Sequence, residues 1–152
     1  MNQSQAAQSP VAKISTANRD RPIPWWVALV VILGAVLTAM GAVIALVSPA
    51  MLVSPHDQIN GVVHIYAGYM ASRNIAMALM LIAMLGLGAR RALNNLMVLV
   101  GFIQLLDAFM DVFEARWTVA PGVLIFGVVF LIAAAKLCDG IPFWRLEAWK
   151  RE

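Results

Sequence analysis

Gln104, Asp107, Asp111 and Glu114 recur at intervals of three, four and three residues within Asn95 to Ala115, a run that is otherwise apolar enough to cross a membrane. That spacing puts all four on one face of a helix. An ionisable group in hydrocarbon costs about 2.5 kcal/mol or more, so it pairs, faces a polar cavity or carries a function. The preceding apolar run supplies Arg73, on a face that also carries Tyr66 and Tyr69. Three acids therefore face one arginine inside the apolar runs, with Arg116 beside them as a second cation, and simple pairing does not balance the charges. A carboxylate held by Arg73, next to an acid that keeps its proton, is a working acid and base set. In an enzyme, Asp111 or Glu114 would be the general acid, Asp107 the base positioned by Arg73, and Tyr69 a donor to developing negative charge. Isomerisation or cyclisation of a hydrophobic substrate would suit that set.

The same residues support two other readings. Tyr66, Tyr69, Arg73, Asn74, Gln104, Asp107, Asp111 and Glu114 can line an outward-facing pocket between the second and third spans that binds a lipophilic or amphipathic small molecule without turning it over. Alternatively Arg73 and Asp107 form a buried ion pair that only fixes helix packing, with Tyr66, Tyr69, Ser72, Asn74 and Gln104 as hydrogen-bond support. The density of polar groups in so small a chain favours the pocket by a narrow margin.

Other features carry less. Met70, Met77, Met80 and Met84 lie beside the Arg73 face and read as core filler or as the floor of an apolar pocket. Gly34, Thr38, Gly41 and Ala45 make a small-residue face suited to close helix approach, as do Gly122 and Gly127. His56, Asp57 and His64 match no metal-ligand spacing, the single cysteine, Cys138, excludes an intrachain disulfide, and no phosphate loop, nucleophile elbow or zinc-protease motif is present. No cofactor or metal is expected. Cys138 reads as a small apolar filler at a span end, where lipidation is conceivable in a eukaryotic host.

The elements that must hold these residues follow from composition. Of 152 residues, 62% are hydrophobic and 12% charged, and the mean hydropathy is +0.81, far from the balance of a soluble domain. Four apolar runs, about 25–47, 65–87, 93–115 and 119–137, each match a span of about 20 residues, so the expected fold is all-α, a four-transmembrane-helix bundle occupying residues 25–138. Residues 1–24 read as a disordered tail and 139–152 as an interfacial tail. Spans two and three form an antiparallel hairpin closed by Arg90 and Arg91. Measured from Ile65 and Ala115, Arg73 and Asp107 each lie eight residues in, about 12 Å at 1.5 Å per residue. Tyr69 is then level with Asp111, and Tyr66 and His64 with Glu114.

Lys and Arg number three in the N-terminal tail, two in the second connection and four from Lys136 onward, against none from Ser48 to His64 and Arg116 alone in the last connection. The bias puts both termini in the cytoplasm, in an integral, multi-pass protein of a membrane such as the bacterial inner membrane. The net charge of +3 sits in short clusters flanking the spans, a pattern of topology rather than of nucleic-acid binding. The partners expected are the lipid bilayer and a lipophilic small molecule, with oligomerisation left open.

Tyr69, Met70, Ala71, Ser72, Arg73 and Asn74 in the second span, an Arg-Arg turn, and Leu106, Asp107, Ala108, Phe109, Met110 and Asp111 in the third resemble a family of small four-helix integral membrane proteins catalogued as a domain of unknown function. The resemblance covers about residues 26–138 and rests on the Arg-Asn step and the third-span Asp. It carries the family pattern to Arg73, Asn74 and Asp107 and implies no activity. Sterol-isomerase-like membrane bundles are similar in binding lipophilic molecules among helices that carry acids, but this chain lacks their order of His and Glu residues.

Overall fold

The computed structural model describes residues 22–52 and 59–138. Four helices follow one another: α1 Trp25–Val47, α2 Gly61–Gly86, α3 Arg90–Phe113 and α4 Ala120–Leu137, with a short 3-10 turn, Pro49–Leu52, after α1. All four are long and apolar enough to cross a membrane. The all-α, four-helix architecture expected from the sequence is present. The two tails, apart from residues 22–24, and His56 and Asp57 lie outside the described residues.

Local chemistry sets each helix end. The Pro24 carbonyl accepts from the backbone N–H of Val27 and Ala28 at 3.0 and 3.1 Å, so Pro24 caps α1 rather than occupying its first turn. Helix α2 begins at Gly61, one turn before the expected Ile65, because the Asn60 side chain accepts from the N–H groups of Val62 and Val63 at 3.1 and 3.2 Å. An asparagine N-cap satisfies two donors that would otherwise lack partners. At the other end Gly88 turns left-handed, with φ +62°. Ala89 then donates to the Met84 carbonyl and Gly88 to that of Leu85, the Schellman arrangement. Helix α3 takes Arg90 and Arg91 into its first turn and so starts three residues before the expected Leu93. Pro121 stands in the first turn of α4, where its missing N–H costs nothing.

The bundle is two pairs. Helix α1 packs chiefly along α2 and α3 along α4, and the interface of the expected α2–α3 hairpin is thinner. Small residues explain the pairing, because helices in lipid associate where backbones can approach closely. A Cβ added to Gly127 would lie 3.1 Å from the Gly101 carbonyl oxygen, so α3 and α4 cross almost backbone to backbone. Ala42 and Ala45 of α1 pack in one cluster with Ala67 and Ala71 of α2. Gly34 receives the ring of the fully buried Phe130, which ties α1 to α4. Between α2 and α3 the described residues instead place the Arg73–Asp107 bond.

Burial is uneven along the bundle. The core that draws on all four helices includes Val31, Leu81, Leu93, Met97, Phe130 and Leu137, toward the end of the bundle holding the α2–α3 turn. Toward the opposite end, where α1 connects to α2 and α3 to α4, the second cluster belongs to α1 and α2 alone. Among the described residues the pairs are thus joined at the turn end and share no common core at the connection end.

Candidate functional site

Arg73 stands at the middle of α2 and Asp107 two turns from the end of α3. Arg73 Nη2 donates to Asp107 Oδ2 at 3.1 Å, so the depth matching of these two residues places them correctly. Their side chains remain 43% and 39% exposed, so the pair sits at the open flank of the bundle rather than in its core. A groove of about 510 Å³ runs along α2 from this pair toward the connection end. Its described walls come from α2 alone: Val62, Val63, Ala67 and Met70 supply apolar surface, and Tyr66, Tyr69 and Arg73 the polar groups. Helix α3 contributes Asp107 through its bond to Arg73.

The rest of the acidic stripe has different neighbours. Asp111 is buried and bonded by Arg116, Nη1 to Oδ1 at 3.1 Å. The backbone explains how Arg116 gets there. Ala115 adopts a left-handed φ of +56°, and the Arg116 N–H then donates to the Asp111 carbonyl at 2.8 Å, closing a Schellman turn that swings the Arg116 side chain back over the end of α3. Glu114 is exposed and has no ion pair or hydrogen bond through its side chain among the described residues. Tyr66 and Tyr69 are both 69% exposed, and no hydrogen bond joins either hydroxyl to an acid among the described residues.

Gln104 and Asn74 point away from the groove. A Cβ on Gly127 would lie 3.1 Å from the Gln104 Cβ, so Gln104 emerges against α4. Asn74 is buried, and a Cβ on Gly41 of α1 would lie 3.3 Å from its Nδ2. The structure therefore brings together Tyr66, Tyr69, Arg73 and Asp107, attaches Asp111 to Arg116, and separates Asn74 and Gln104 from them. His64 is exposed in the first turn of α2. Among the methionines, Met70 lines the groove while Met77 is in the core and Met84 packs against it.

Sequence reasoning missed Val62 and Val63 as groove walls, because the Asn60 cap that makes them helical was overlooked. It also assigned Arg116 only loosely; the signal available was an arginine five residues after Asp111, the reach of a Schellman turn. At the turn end, the Cys138 thiol donates to Asn94 Oδ1 at 3.4 Å, so Cys138 is more than apolar filler. No protein-family model, curated protein or solved structure matches the chain.

Proposed function

We propose that this small multi-pass membrane protein binds a lipophilic or amphipathic molecule in the α2 groove, oriented by Arg73, Asp107, Tyr66 and Tyr69, with both termini cytoplasmic and the groove opening outward. The observation that carries this reading is the half-exposed Arg73–Asp107 pair at the inner end of a largely apolar groove. Charged groups are kept at mid-membrane where they meet a pathway or a ligand, and the volume lies within the roughly 300–1,000 Å³ usual for ligand sites. The acid and base reading loses support, since Arg116 occupies Asp111, the nearer candidate acid.

A second reading has one observation behind it. The Arg73–Asp107 bond links the two helix pairs where their interface is thin, as a packing latch would. Native mass spectrometry of gently extracted protein separates the two. Under the binding reading wild type carries a co-purifying small molecule that the folded Arg73→Met, Asp107→Leu double variant lacks. Two bare, equally stable proteins would make the pair a latch.

A further inference from the structure

A ligand that reaches Arg73 meets a charge already neutralised. One hydrogen bond, Nη2 to Oδ2, joins the pair, and neither side chain makes another among the described residues. A guanidinium has five N–H donors and a carboxylate two acceptor oxygens. Unused donors on Nε and Nη1 therefore stand beside an unused acceptor, Oδ1, on side chains that are still two-fifths exposed. The described walls above add no net charge: Val62, Val63, Ala67 and Met70 are apolar, and Tyr66 and Tyr69 bring phenols.

The charge balance selects among head groups. A carboxylate or phosphate head would gain Arg73 fully only by displacing Asp107, which would leave an acid without a partner in hydrocarbon. An ammonium head does the mirror image to Arg73, and stranding one member of such a pair is strongly unfavourable. Depth acts in the same direction. Arg73 is twelve residues into α2 and Asp107 six residues from the end of α3, about 18 and 9 Å along their helices, and carrying a charged head to that level of an apolar bundle costs far more than carrying a hydroxyl. A hydroxyl both donates and accepts, so it can bridge Arg73 and Asp107 without separating them.

Resting on the binding reading above, we propose that the groove takes an uncharged lipophilic alcohol or phenol. Its hydroxyl accepts from Arg73 and donates to Asp107, and its apolar body lies along Val62, Val63, Ala67 and Met70. The ligand enters with its polar end innermost, the reverse of an ordinary bilayer amphiphile.

Three probes with one tail and different heads test this: 1-hexadecanol, palmitate and hexadecylamine, each added to purified full-length protein and read as retained mass. Wild type should retain hexadecanol about tenfold better than either charged probe, a difference of about 1.4 kcal/mol. Asp107→Asn should shift the preference to palmitate and Arg73→Gln to hexadecylamine, since each leaves one charge unneutralised. Wild type that favours a charged probe, or that holds all three alike, overturns the head-group assignment and leaves binding itself standing. Retention of none of the three, with no co-purifying molecule, overturns both. A co-purifying molecule with a charged head overturns the assignment alone.

Discussion

Arg116 holds Asp111 twice, by its backbone N–H on the carbonyl and by its guanidinium on the carboxylate. The turn that allows this forces Ala115 to φ +56°, a conformation that costs an L-residue about 1 kcal/mol or more. Glycine would adopt it freely, so Ala115→Gly should stabilise the protein by about 1 kcal/mol, visible as a higher melting temperature in detergent. Arg116→Gln strands a buried carboxylate and should cost about 3 kcal/mol. Glu114→Gln, three residues along the same stripe but exposed, should stay within about 0.5 kcal/mol of wild type. Equal losses from the two variants, measured by chemical unfolding, would contradict the division of the acidic stripe into a paired and an unpaired part. That division was only partly legible in the sequence. Helical spacing identifies the stripe and matches Arg73 to Asp107, but it cannot show that a left-handed Ala115 returns Arg116 to Asp111, because nothing in an alanine signals that conformation.

At the level of elements, glycines decide which helices pair. A Cβ on Gly101 would meet Leu131 Cγ and Cδ2 at 2.8 Å and the Gly127 carbonyl at 3.2 Å, whereas one on Gly68 would meet nothing within 4 Å. Gly101→Ala should therefore cost about 1–3 kcal/mol as α3 and α4 are forced apart, while Gly68→Ala should be neutral or mildly stabilising through helix propensity. Thermal shift assays on the two variants check this; a tolerated Gly101→Ala would mean that the α3–α4 crossing is looser than described. The four helices themselves were legible, because runs of 18 or more apolar residues admit little else. Their pairing was not. Gly34, Gly41 and Gly127 read as packing surfaces in the sequence, but a small-residue face does not name its partner. The Asn60 cap was readable and lengthens α2 by the turn that bears Val62 and Val63.

For the whole molecule, the division into two pairs joined at the turn end gives the Arg73–Asp107 bond its setting. Four helices share the core around Leu81, Leu93 and Phe130, while among the described residues the connection end has no core common to both pairs. A polar α2 flank in that region is what a ligand or water can reach. Removing both charges together, Arg73→Met with Asp107→Leu, avoids an orphaned ion and should leave the fold intact, with stability within about 1–2 kcal/mol of wild type; wholesale unfolding of the double variant would show that the bond is required for the bundle to exist. The central claim, that the Tyr66 to Arg73 flank is accessible from the outer aqueous side, is tested most directly by thiol labelling of intact cells. In a Cys138→Ser background, Tyr69→Cys is compared with Leu106→Cys. Residues 69 and 106 lie at similar distances from the connection end and are 69% and 64% exposed, but only the first lines the groove. A membrane-impermeant maleimide should modify the cysteine at position 69 several times faster than that at position 106, and an added lipophilic ligand should slow it. Equal, slow labelling at both positions would mean that the flank faces lipid like any other, and would contradict an outward-opening binding groove.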